Sequence, residues 1–220
     1  MHYRMQRKIA TLKRDIRSLG NLVGQRVEEA IQAILTRDIG LAAAVIAGDK
    51  EIDIAEVELE EACLAALFLD QPVASDLRFI VAVMKINNDL ERIGDLAVSI
   101  AEQSRALVEL NASQDVPFDL EGETRIVTGM LQISLEAIVH IDAELAERVL
   151  EQDDEIDRIH GEMYELVRAA IEKEPNRTAE HLRYLSVSRS LERIADHLTN
   201  IAEDIIYTVH GEINRHADHG

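Results

Sequence analysis

The chain has no tryptophan, one cysteine and three prolines, and aromatic residues make up 3% of its 220 positions. The lone Cys63 excludes an internal disulfide, suits a reducing compartment and is expected to be a small core residue. Scarce aromatics, with Ala, Val, Ile and Leu supplying most of a 47% hydrophobic share, argue against a β-sandwich or barrel and for a helical bundle. Basic residues are also few, 23 against 42 acids, for a net charge of -19. That balance excludes a nucleic-acid partner, because gripping the phosphate backbone needs clustered Lys and Arg. An acidic surface favours cations or basic partners. No apolar run reaches the roughly 18 to 20 residues that span a bilayer, and the N-terminus lacks an apolar signal core, so a soluble cytoplasmic protein with no transmembrane segment is expected. The motifs GxxxxGK[ST], GxSxG, HExxH and CxxC are all missing, and with them the residues for phosphate-loop, hydrolase, zincin and thiol-redox chemistry.

What the chain does contain is a repeat. Leu90-Glu91-Arg92-Ile93-Gly94-Asp95 returns as Leu191-Glu192-Arg193-Ile194-Ala195-Asp196, and both copies run on into Ile-Ala-Glu. The offset is 101 residues. Upstream, Asp49-Lys50-Glu51-Ile52-Asp53 matches Asp153-Asp154-Glu155-Ile156-Asp157 at an offset of 104, which places the length change in a loop between the two motifs. A fixed period of this kind means duplication. Two halves follow, 1–110 and 119–210, with 211–220 as a flexible tail that includes His216 and His219.

Apolar spacing of three and four residues predicts an amphipathic helix from Met5 to Leu35 through Leu12, Ile16, Leu19, Val23, Val27, Ile31 and Ile34. Its start is basic, at Arg4, Arg7, Lys8, Lys13, Arg14 and Arg17. A second helix is expected from Asp38 to Leu69, weakened near Gly48. Pro72 marks a turn, Ser75-Asp76 a capped restart, and the third helix ends near Leu110. After a linker at Asn111 to Phe118, three more helices are expected at Leu120–His140, Asp142–Glu172 and Thr178–Val209, with Pro175-Asn176 as a breaker. The fold class is all-α: six helices in two antiparallel three-helix bundles.

At about 100° per residue, Leu90, Ile93, Ala97 and Ile100 share one stripe while Glu91, Asp95 and Glu102 fall on another, turned away from the core. On the second helix Asp49, Asp53, Glu56 and Glu60 form a line, matched in the second half by Asp153, Asp157, His160 and Tyr164. Like charges four apart destabilise an isolated helix by about 0.2 to 0.5 kcal/mol per pair. The chain nevertheless places them at Asp49/Asp53, Glu91/Asp95, Asp153/Asp157 and Glu192/Asp196. Chance pairing in so acidic a chain, copied by duplication, is the plain alternative. The functional reading is two carboxylate-rich metal sites: Asp49, Asp53, Glu56, Glu91 and Asp95 in one, and Asp153, Asp157, His160, Glu192 and Asp196 in the other. Oxygen ligands suit magnesium, calcium or manganese, and His160 in the place of Glu56 extends the range of divalent ions to iron or zinc. Arg92 and Arg193 are candidates to screen the acids, to hold a partner or to pair with a neighbouring helix. His197 is a weaker ligand candidate, and His140, His181 and His210 are expected at the surface. A carboxylate-bridged oxidase or metal-storage bundle is the alternative, but it needs inward Glu-x-x-His sets, and only Asp157-x-x-His160 comes near one.

With its repeated Leu-Glu-Arg-Ile-[Gly/Ala]-Asp, its Asp-x-x-Ile-Asp motifs, and Gln71-Pro72-Val73-Ala74-Ser75-Asp76-Leu77-Arg78 between them, the chain resembles the PhoU family of bacterial phosphate-transport regulators from about Arg14 to Val209. The resemblance implies two three-helix bundles, no enzymatic activity, and metal clusters at the acidic motifs, which fall here on Asp49 and Asp53 with Glu91 and Asp95, and on Asp153 and Asp157 with Glu192 and Asp196. It further implies an adaptor that restrains phosphate uptake and the starvation response. Its partners would be the ATPase subunit of a phosphate ABC transporter and a membrane sensor histidine kinase, which would bring it to the inner membrane. A homodimer is expected.

Overall fold

The computed structural model describes residues 2–72, 74–113 and 118–211; the expected tail beyond Gly211, with His216 and His219, and linker residues 114–117 lie outside them. Six long helices account for nearly all of the described chain: α1 (His2–Thr36), α2 (Ile39–Asp70), α3 (Ala74–Glu109), α4 (Leu120–His140), α5 (Ala143–Lys173) and α6 (Thr178–His210). A single 3-10 turn, Pro175–Arg177, precedes α6 at the expected breaker. Helices α1 to α3 form one bundle and α4 to α6 the other.

Local chemistry sets the ends. The carboxylate of Asp38 accepts from the Leu41 amide at the start of α2, and Asp142 accepts from Glu144 and Leu145 at the start of α5. These two caps are 104 residues apart, as are the left-handed residues just before them, Arg37 (φ 57°) and Ile141 (φ 55°). Helix α3 begins at Ala74, so Ser75 and Asp76 sit inside its first turn instead of capping it. Asp76 still favours that end through the helix dipole. The offset changes from 104 to 101 between α5 and α6, but not because the loop is shorter, as expected. Instead α5 is one residue and α6 three residues shorter than α2 and α3, while the turn between them is one residue longer.

Gly48 does not weaken α2. A β-carbon there would meet the Arg26 guanidinium at 2.8 Å, so the bare backbone leaves room for Arg26 to bridge Glu29 (2.7 Å) and Glu51 (3.1 Å). The basic start of α1 is tied down by Asp70 at the end of α2, with Arg4 and Lys8 each 2.9 Å from its carboxylate.

Helices α3 and α6 are the most central elements, flanked respectively by α1 with α2 and α4 with α5, and they pack on each other. Their apolar stripes, Ile86, Leu90, Ile93, Ala97 and Ile100 on α3 and Leu191, Ile194, Leu198 and Ile201 on α6, are buried. The halves also meet where α4 crosses α1, and a β-carbon at Gly20 would overlap the side chain of Leu135. Polar ties cross the same boundary: Lys85 to Asp204, His197 to Asp89 at 2.8 Å, and Arg37 to the hydroxyl of the buried Tyr184. Cys63 is fully buried as expected, and burial pushes its thiol up to about 12.

Two carboxylate patches as the candidate functional site

The acidic motifs come together as pairs of helices. In the first half Asp49, Asp53 and Glu56 on α2 face Glu91 and Asp95 on α3 across the crevice between the helices. Gly94 permits the approach: a β-carbon there would already stand 3.0 Å from Ile52 Cδ1 and 3.7 Å from Asp49 Oδ1. The acids are not all on open surface. Asp49, Glu56 and Glu91 are half-buried, while Asp53 and Asp95 are exposed. Burial, together with the neighbouring carboxylates, raises the proton affinity of Asp49, Glu56 and Glu91 above the ordinary range. Arg92 settles between two acids of its own helix, 3.2 Å from Asp95 and 3.4 Å from Glu91, and so screens the patch.

The second patch repeats this on α5 and α6. Asp153, Asp157 and His160 face Glu192 and Asp196, and burial raises Asp153 to about 6, with Asp157, Asp196, Asp154 and Glu192 adding to it. Burial first and a neighbouring carboxylate next also raise Glu192 and Asp196, against the pull of His160 and Arg189 on the one and of His197 and Arg193 on the other. Arg193 is exposed. His197 binds Asp89 of the other half, which occupies its Nδ1 as a ligand atom, although the ring still draws Asp196 down.

Three residues that the sequence reading passed over hold these patches in place. The buried Asn87 donates to the Glu56 carbonyl (2.9 Å) and to its Oε1 (3.1 Å). Its equivalent 101 residues on, Ser188, lies 2.9 Å from His160 Nδ1 and donates to Glu123 Oε1 at 2.9 Å. A serine hydroxyl has one proton. Given to Glu123, it leaves Ser188 to accept from His160 Nδ1–H, and His160 Nε2 is then a free electron-pair donor. Glu123 sits on α4 at a core position that Leu19 fills in the first repeat, and burial drives its carboxyl up to about 7. Aligning α1 with α4 at the offset of 104 was the available signal for it.

His140 and His210 are exposed as expected. His181 is not: it is buried, edge-on to Phe118, because the ring closes the core at the start of α6. The interior does not carry the ligands of a carboxylate-bridged oxidase. Its buried carboxylates among the described residues are Glu123 and Glu180, and Glu180 is paired with Arg177 at 2.6 Å.

The donor set fits a hard or borderline cation. Asp153 Oδ1 is buried without a hydrogen-bond partner, as expected of an oxygen left for an ion; Glu91 Oε2 also lacks a hydrogen bond but already has the Arg92 guanidinium beside it. As the side chains lie, no three His, Cys, Asp or Glu groups among the described residues converge closely enough to hold one, so binding would need side-chain rotation.

The sequence profile described as the PhoU domain matches residues 16–104 and 121–205, one match in each half. The phosphate-specific transport system accessory protein PhoU homolog of Caulobacter vibrioides is 33% identical over 205 residues, 93% of this chain and 89% of the relative. Two crystal structures share the fold. PhoU from Pseudomonas aeruginosa superposes with a TM-score of 0.89 at 33% identity, covering 94% of this chain and 99% of that one. The phosphate transport system regulatory protein PhoU from Streptococcus pneumoniae superposes at 0.85 and 28% identity, covering 96% and 99%.

Proposed function

The chain belongs to the PhoU family, and on that premise we propose that it is a non-enzymatic regulator of phosphate uptake and phosphate-starvation signalling. It works in the cytoplasm as a homodimeric adaptor between a phosphate ABC transporter's ATPase subunit and a membrane sensor histidine kinase. The observation that carries this is the pair of carboxylate patches, rebuilt in both repeats at equivalent positions and at a cost in like-charge repulsion. No helix among the described residues is long and apolar enough to cross a membrane, in keeping with an adaptor recruited by its partners.

Asp49, Asp53, Glu56, Glu91 and Asp95 would hold a divalent cation between α2 and α3, and Asp153, Asp157, His160, Glu192 and Asp196 would do so between α5 and α6. A bound cation supplies positive charge that offsets the repulsion and ties two helices together. Asn87 and Ser188 orient one ligand in each set. Without a cation, the same faces attract basic segments of a partner.

A phosphate-responsive alkaline phosphatase reporter tests the function. Loss of the gene should derepress it in phosphate-rich medium, and wild type should restore repression. Repression that persists without the gene would overturn the regulatory reading. Elemental analysis of wild type against a variant with Glu91, Asp95, Glu192 and Asp196 all changed to Ala tests the sites. Equal metal content would leave the patches as docking faces alone.

A further inference from the structure

Helix α2 is apolar on two sides. Its inner side, with Val45, Ile52, Leu59, Cys63 and Ala66, is buried against the bundle. Its outer side carries Ile54, Val57, Leu64 and Phe68, all exposed, Phe68 at 82%. A helix apolar all round belongs in an interior, and an exposed patch of this kind marks an interface. The second repeat supplies the internal control. At these four positions, 104 residues on, α5 has Arg158, Gly161, Arg168 and Glu172, and it has Glu147 and Glu151 where α2 has Ala43 and Ala47. Arg158 and Arg168 are there ion-paired with Glu162 and Glu165. The fold therefore does not demand apolar residues at these positions; the large apolar side chains that α5 exposes, Tyr164 and Leu166, match Glu60 and Ala62, off this line.

The pattern also identifies what covers it. From Ala43 to Phe68 the exposed positions recur in alternating steps of four and three, the 3.5-residue repeat of a coiled-coil seam, over about 38 Å. If a second copy is laid antiparallel about a twofold axis between Ala55 and Glu56, the seam complements itself. Phe68 meets Ala43 and Leu64 meets Ala47, bulky against small; Ile54 meets Val57 at the centre; Lys50 meets Glu61, opposite in charge.

We infer that α2 is the face through which two copies of this chain pair, as an antiparallel helix seam. This gives a surface and a register to the paired state proposed above. Outside the seam Glu51 would face Glu58 and Asp53 would face Glu60, which makes the pairing tighten, not loosen, as salt screens the acids. The same acids disfavour an anionic lipid surface as the occupant.

Sedimentation equilibrium of the full-length protein from low to high micromolar concentration tests it. Wild type should sediment at twice its 24.6 kDa chain mass. Leu64→Arg with Phe68→Glu, the residues α5 carries at these positions, should give the single-chain mass with unchanged helical circular dichroism. Lys50→Glu, on the exposed face, should weaken pairing by about tenfold, and adding Glu61→Lys should restore it. A folded Leu64→Arg, Phe68→Glu variant that stays dimeric would overturn the α2 assignment and leave pairing intact. Failure of Glu61→Lys to restore pairing would overturn the register. A wild type that remains a single chain throughout would overturn both the pairing and the surface.

Discussion

Glu123 offers the sharpest test of the electrostatics. Its carboxyl is buried in a position that is leucine in the other repeat, with one oxygen bonded to Ser188 and the other without a partner. Replacing it by Gln keeps the shape and an acceptor for Ser188 and removes the titrating proton. The rise from the ordinary 4.5 to about 7 corresponds to about 3 kcal/mol, at about 1.4 kcal/mol per tenfold change in proton affinity. The sign follows from which state holds the proton. Below pH 4.5 both folded and unfolded carboxyls are protonated, and nothing is lost. Between 4.5 and 7 the unfolded chain releases its proton while the folded chain keeps it, so stability falls as pH rises, and above 7 the loss is complete. Urea unfolding of wild type and Glu123→Gln, run with chelator at pH 4.5, 6, 7 and 8, should show a stability gap that opens with pH and levels off near 3 kcal/mol in favour of Gln. Groups that titrate alike in both proteins cancel in the difference. A gap that is flat across the series would refute the reasoning.

Asp153→Asn should raise the urea midpoint at pH 7.5 in chelator and do so much less at pH 4, since a carboxyl raised from 3.8 to about 6 destabilises progressively as pH climbs between those values; an equal effect at both would count against it. Asn87→Ala should cost about 1 kcal/mol in chemical denaturation, because Glu56 loses the side-chain donor to its carbonyl and carboxylate, and unchanged stability would remove Asn87 as a support. Gly94→Val should cost about 1 to 3 kcal/mol, as its branched side chain forces Ile52 aside; a neutral result would mean that α2 and α3 can separate freely.

The helices were legible because apolar spacing of three and four ran unbroken between proline and polar stops. Asp38 and Asp142, expected as first residues of their helices, cap them instead, and α4 falls on the expected residues from end to end. Capping logic failed at Ser75, where the chain turns through the left-handed residue Gln71 (φ 45°) and α3 begins ahead of the serine. Grouping the acids into two patches needed only helical periodicity and the repeat. How deep they sit did not follow from these, because the depth of Asp49 and Asp153 depends on how closely two helices approach, which Gly94 governs on one side. His181 shows the same limit: a histidine's periodicity does not reveal that an aromatic ring from before α4 will cover it. Asn87, Ser188 and Glu123 were out of reach because a single polar residue on a core stripe carries no label until its partner on another helix is known.

The contact between α3 and α6 has a consequence for how the chain comes apart. Each repeat buries its central helix against that of the other, so opening either half would bare an apolar stripe on both. Such a structure resists partial release: the two copies of an ancestral unit share one fate in denaturant, with a single transition and with the slowest amide exchange on α3 and α6 together. Duplication joined two units, and packing made them one cooperative body.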